Sequence, residues 1–247
     1  MIRNLFLLLL TCSSLACTTI EQSEIRKVKK VAIIGFQGHI AEGGDMMRQL
    51  SKAMADQHFG AKLYEVTRNQ LKATMGWQVL PREKIANLPT YKAVGQSKAN
   101  KISNALNKWD KQILIPGIFT TGMAATVLSD KKKMTALTKE LGVDAVMMIN
   151  FDIKPNSNTV DASDKIMGLL KVNEAKVFLL DCSLTLDLYE ARTQKPIWKK
   201  LGIGGETSDS TMTTIFNVSF PDQKERAVVS AFSNALRAHI REVQSGG

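Results

Sequence analysis

Lys176 to Tyr189 reads as a strand, and from Leu180 to Leu188 its residues alternate without a break. Phe178, Leu180, Cys182, Leu184, Leu186 and Leu188 fall on one side of an extended chain, and Asp181, Ser183, Thr185 and Asp187 fall on the other. A two-residue period sorts apolar from polar residues only in a β-strand, so this segment requires a sheet with one face turned to a core. The chain then turns through Ala191 to Lys195 and returns through Pro196 to Leu201, which predicts a long antiparallel hairpin. Cys182 lies among the leucines and reads as a small core residue, because a catalytic thiol needs a lowered pKa and partial exposure.

Other segments carry helical spacing. Met134, Leu137 and Leu141 line a helix that stops at Gly142, and Val143 to Phe151 continues as a strand. Helix, glycine and strand in that order form the return half of a βαβ crossover, so part of the sheet is expected to be parallel. Lys30 to Phe36 reads as a buried first strand, followed by a helix with Met46, Met47, Leu50 and Met54 on one face. In the middle, Ala61 to Val66 and Trp77 to Leu80 read as strands, and Lys98 to Trp109 as a helix. Ile113 to Ile118 reads as a strand interrupted by Pro116-Gly117, leading into a buried turn and a helix start before Leu128. Pro155 to Asp164 is a polar loop and Phe216 to Phe220 a further short strand. Asp222 and Glu225 read as the N-cap and capping-box partner of a last helix, whose apolar face is Val228, Ala231, Phe232, Ala235, Leu236 and Ile240. The expected fold is α/β: a mixed sheet with βαβ units, a long antiparallel hairpin and a C-terminal helix packed on the sheet.

The N-terminus has a separate character. Arg3 supplies a positive start, Leu5 to Leu10 a short apolar core, and Ser14-Leu15-Ala16 brings small residues up to Cys17. This order resembles a bacterial lipoprotein signal, in which a peptidase cuts between Ala16 and Cys17 and the cysteine carries lipid. Such signals usually have Leu where this chain has Ser14, and an ordinary secretory signal cleaved near Ala16 is the other reading. The apolar run is far below the ~20 residues of a membrane span. The expected organisation is a signal at 1–16, a lipidated polar tether at 17–27 and a single α/β domain at 28–243. Thr18, where Asp would retain such a protein at the inner membrane, points to the inner leaflet of the outer membrane, facing the periplasm.

That address changes the meaning of the charge. The formal net charge of +10 loses only Arg3 with the signal. An exported, tethered protein meets anionic lipid or peptidoglycan rather than chromosomal DNA, so no nucleic-acid partner is expected. The basic residues are also dispersed, at Lys27, Lys29 and Lys30, at Lys131 to Lys133, and at Lys199 and Lys200. The three cysteines are Cys12, Cys17 and Cys182; one leaves with the signal and one takes lipid, so no internal disulfide forms and stability must come from the core.

The stretch from Asp187 to Trp198, with Thr193-Gln194-Lys195 at its turn, is similar to a hairpin of periplasmic lipoproteins related to the TolB amino-terminal domain, the curli secretion lipoprotein and the outer-membrane activators of penicillin-binding proteins. In that hairpin an Asp precedes a Thr-Gly-Lys turn and a Trp follows it. The Lys30-to-Phe36 strand, the Leu141-Gly142-Val143-Asp144 junction and the capped last helix occur in the same order there. The resemblance covers about residues 28 to 243. It implies a protein that binds other envelope proteins or builds assemblies, and it assigns no role to single residues.

Common catalytic patterns fail on spacing. Gly35, Gly38, Gly43 and Gly44 fit neither G-x-G-x-x-G nor a P-loop. His39, His58 and His239 lack metal-ligand spacing, and no G-x-S-x-G elbow occurs. The expectations are therefore no metal, no cofactor and no catalysis. The functional reading is an envelope lipoprotein, membrane-bound through Cys17, that docks an envelope protein or a peptidoglycan-associated partner or joins an assembly, with an oligomer open. The expected contact is the polar loop containing Gly204, Gly205, Glu206, Thr207, Ser208 and Asp209. The alternative is a periplasmic small-ligand binder or hydrolase with its site in a Gly35-to-Asp45 loop, where His39 follows the first strand.

Overall fold

Val31 to Ile34 and Phe36 are wholly buried, as a β-branched run enclosed on both sides requires. They form the middle of β2 (Lys30–Ile40), the central long strand in a computed structural model that describes residues 19–40, 57–96, 112–155, 176–178, 180–199, 214–216 and 221–245. The other strands are β1 (Thr19–Ile20), β3 (Gln78–Val79), β4 (Gln112–Leu114), β5 (Ala145–Pro155), β6 (Lys176–Phe178), β7 (Leu180–Glu190), β8 (Pro196–Lys199) and β9 (Thr214–Phe216). The described helices are α1 (Gln22–Ile25), α2 (Gln57–Met75), α3 (Arg82–Ala86), α4 (Pro89–Gly95), α5 (Thr121–Leu128), α6 (Lys131–Leu141) and α7 (Pro221–Ser245). The main sheet runs β1-β8-β7-β5-β2-β3, with β4 also on β2, and β6 pairs with β9 apart from it, so the single strand expected over Lys176 to Tyr189 is divided between two sheets. β2 is parallel to β5 and β3, while β7 is antiparallel to both β5 and β8. The sheet is thus mixed, with the crossover and the hairpin that the sequence predicts.

Successive side chains of β2 point to opposite helix layers. A Cβ on Gly35 would stand 2.7 Å from the Ala124 Cβ of α5. Phe36 instead meets Tyr64 of α2 and Phe232 of α7, with ring centroids at 6.4 and 5.9 Å. Phe151 lies edge-on to both Phe36 and Phe232, at 5.6 and 4.8 Å, because its register partner is Gly38 and the ring occupies the space a side chain there would fill. The first strand therefore runs on to Ile40, past the expected end at Phe36. Gly35 and Gly38 serve packing rather than opening a ligand loop; the remainder of the Gly35-to-Asp45 segment lies outside the described residues.

The outer edge of β2 is closed piecewise. β3 pairs with its start, β4 with Gln37 to His39, and between them the Phe36 N–H donates to the Phe119 carbonyl at 2.9 Å. Tyr91 locks this arrangement. Its hydroxyl donates to the Ile34 carbonyl at 2.7 Å and accepts from the Phe119 N–H at 2.6 Å, and its ring stacks on Phe119. Burial raises the Tyr91 pKa well above its ordinary value, so the phenol stays a donor. Tyr91→Phe removes both bonds and orphans two backbone groups; a loss of about 1–3 kcal/mol in urea unfolding is expected.

Ala61 to Val66 is helical, contrary to the strand expectation. Six residues can show chance alternation, but Phe59, Leu63, Thr67 and Leu71 recur at helical spacing and are all buried. Residues 19–27 are not a tether: β1 pairs with β8, and Ile25 and Val28 are buried, since the polar run contains enough apolar residues to reach the core. Trp77 to Leu80 contains β3, and Pro116-Gly117 is a turn after β4, with Gly117 at φ 79°. Thr120 caps α5 by accepting from the Met123 N–H, which is the expected helix start.

The Asp130 carboxylate accepts from the N–H groups of Lys133 and Lys132 to cap α6, and these bonds hold its pKa below the usual carboxylate range. Gly142 ends that helix at φ 58°, the left-handed C-cap anticipated for it. Asp144 then ties three elements together. Its Oδ2 accepts from the Lys29 and Lys30 N–H groups at 2.9 and 2.8 Å, and its carbonyl accepts from the Ala191 N–H. Asp144→Ala is expected to destabilise by about 1–3 kcal/mol, read as a lower urea midpoint with an unchanged slope.

In the hairpin, Gln194 adopts φ 62°, a left-handed conformation that favours glycine. Its Nε2 donates to the Lys131 carbonyl and to Thr135 Oγ1, which fastens the turn to α6. The last helix buries every residue of its predicted apolar face. It starts at Pro221, so Asp222 sits inside the first turn, and Glu225 forms an ion pair with Lys62 of α2 instead of serving a capping box.

Candidate functional site

Ala16, Cys17 and the loop from Gly204 to Asp209 lie outside the described residues. His39 does not. It sits on β2 directly opposite Asp152 of β5, and Asp152 faces Ser183 of β7. The His39 Nδ1 stands 3.4 Å from Asp152 Oδ1, with side chains 44% and 53% exposed. That separation exceeds an ordinary hydrogen bond, and an exposed pair of this kind contributes at most about 1 kcal/mol.

Two residues earlier along β2, the next row on the same face is Gln37, Asn150 and Thr185. The Thr121 hydroxyl donates to Gln37 Oε1 at 3.1 Å. Asn150, Asp152 and Lys154 are exposed, so the C-terminal half of β5 presents a polar face beside the α5 layer. Ser183 adjoins Asp152 rather than His39, an order that does not form a serine–histidine relay. Among the described residues, no group of three His, Cys, Asp or Glu could hold a metal ion.

Asp187, one row further, is tied to Tyr189 on its own strand and to Lys199 across the hairpin. Burial raises the Asp187 pKa, against the pull of Lys199 and the Tyr189 hydrogen bond, and one carboxylate oxygen has no hydrogen-bond partner among the described residues. Tyr189 is pushed up to about 12 by burial and by the Asp187 charge. A carboxyl with a raised folded-state pKa favours folding below its unfolded pKa and loses that contribution as pH rises through the folded value. Asp187→Asn is therefore expected to raise the melting temperature at pH 7 relative to the parent, with the gain vanishing near pH 3, as followed by circular dichroism.

Cys182 is 1% exposed, and burial pushes its thiol pKa far up, which fits the core role predicted for it. Maleimide is expected to spare Cys182 in the native protein and label it after denaturation, read by peptide mass spectrometry.

Sequence patterns gave no sign of two clefts. One, of about 420 Å³, opens between α1 and the ends of α2 and α7, and Arg26, Gln244, Met75, Trp77 and Val243 are among the residues that line it. Its Gln22 amide is committed to the Val243 carbonyl. The other, of about 280 Å³, lies beside the hairpin, and its charges are internally matched: Lys27 with Glu24, Arg192 with Glu190, and Asp144 with two backbone N–H groups. Both clefts join residues far apart in the sequence and share no motif. No family model matches the chain, and neither does any curated protein or solved structure.

Proposed function

We propose that the chain is a lipid-anchored, non-catalytic protein of the cell envelope that docks a partner or joins an envelope assembly. The observation that carries this reading is where the chain enters its fold. Thr19 is already paired with Lys199, two residues past Cys17, so cleavage before Cys17 would release the leader and leave every described element intact. The polar groups support association over turnover: Tyr91, Asp130, Asp144 and Thr120 are spent on capping and bridging backbone groups.

The anchor places the protein at the inner leaflet of the outer membrane, facing the periplasm, and the loop from Gly204 to Asp209 is the proposed contact with an envelope protein or peptidoglycan-associated partner. Replacing that loop by a Gly/Ser linker is expected to preserve the melting temperature while abolishing a specific crosslinked adduct in envelope extracts. An unchanged adduct would move the interface elsewhere. The exposed His39–Asp152 pair favours one second reading, a small-ligand site on the polar sheet face. A hydrolytic activity lost in His39→Ala would establish that reading instead.

A further inference from the structure

The anchor and the sheet edge are joined by almost no chain. Thr19 and Ile20 pair with Lys199 and Trp198, and the Glu21 N–H donates to the Ile197 carbonyl at 2.8 Å. Trp198 is 1% exposed, so the strand that receives β1 is rooted in the core. Consecutive Cα atoms are 3.8 Å apart, which holds Cys17 within about 8 Å of Thr19. A lipid at Cys17 consequently has no leash to play out.

We infer that the β1–β8 edge of the sheet is the membrane-facing side of the domain, seated on the bilayer that carries the anchor; this rests on the proposed lipidation of Cys17. The chemistry bordering that edge fits an anionic surface. Arg26 and Lys27 follow α1, Arg192 and Lys195 are exposed at the hairpin tip, and Lys199 lies on β8. Glu21, Glu24, Asp144, Asp187 and Glu190 are the carboxylates among them: Glu24 and Glu190 are paired with Lys27 and Arg192, Asp144 accepts from two backbone N–H groups and Asp187 faces Lys199, which leaves Arg26 and Lys195 as the cations open to the bilayer. The sheet order sets the far side: β3 lies five strand positions from β1, roughly 24 Å at the usual strand spacing. The exposed Lys84 on α3, which follows β3 in the chain and packs on β2, four strand positions from β1, therefore lies on the side away from the bilayer.

The test uses the full, cell-processed protein in vesicles of phosphatidylethanolamine and phosphatidylglycerol carrying a headgroup nitroxide. A fluorophore is attached at Lys195→Cys or at Lys84→Cys, the native Cys182 being buried. Quenching at position 195 is expected to exceed that at 84 by about twofold or more, given the strand spacing between them. An insertion of about twelve Gly/Ser residues between Cys17 and Thr19, spanning roughly 20 Å, should erase the difference. Protein that floats with the vesicles but shows equal quenching at both positions overturns the orientation alone. So does a difference that survives the insertion. Protein that neither floats nor carries lipid by mass overturns the lipidation and the orientation together.

Discussion

Leu184→Asp is expected to abolish the cooperative unfolding transition, whereas Thr185→Asp, one residue on, should shift it by about 1 kcal/mol. Leu184 is 5% exposed, pairs in register with Phe151, and lies on the β7 face that packs against α7. An unpaired carboxylate buried there costs several kcal/mol, against the ~5–15 kcal/mol that holds a typical domain together. Thr185 is half-buried on the opposite face, beside the exposed Asn150. Urea denaturation followed by tryptophan fluorescence separates the two; equal losses would mean that β7 is enclosed alike on both faces.

Gly38→Val is the second large effect expected. The new Cβ would stand inside the Phe151 ring, and that ring is held between Phe36 and Phe232. Overpacking of this kind costs about 1–3 kcal/mol or more, because one ring cannot shift without displacing two others. The same substitution in a Phe151→Leu background should cost less than in the parent. A double-mutant cycle on urea midpoints reads that coupling directly, and strict additivity would show that the ring does not account for the glycine.

The elements legible in the sequence are those whose signal is local. Strict alternation placed β7, helical spacing with a left-handed glycine placed α6 and its passage into β5, and a broad apolar stripe placed α7. What the sequence hid depends on partners far along the chain. β1 is two residues long and is defined only by pairing with Trp198 and Lys199. Gly35 and Gly38 suggested a loop because glycine usually breaks strands, yet here they admit Ala124 and Phe151 from other elements. Ala61 to Val66 alternates well enough for a strand, and only the flanking Phe59 and Leu71 reveal the helix. His39 and Asp152 meet through the parallel register of β2 and β5, which no motif records. The clefts arise in the same way, one from the convergence of α1, α2 and α7 and the other where α1 meets the start of β5 and the hairpin turn.

Lipid anchoring at Cys17 is tested most directly by mass spectrometry of the N-terminal peptide from protein extracted from its native membranes. The expected result is a mature chain that begins at Cys17, with a diacylglyceryl group in thioether linkage to Sγ and the whole folded part from Thr19 onward retained. A mature chain that carries an unmodified Cys17, or that begins anywhere else, would contradict it.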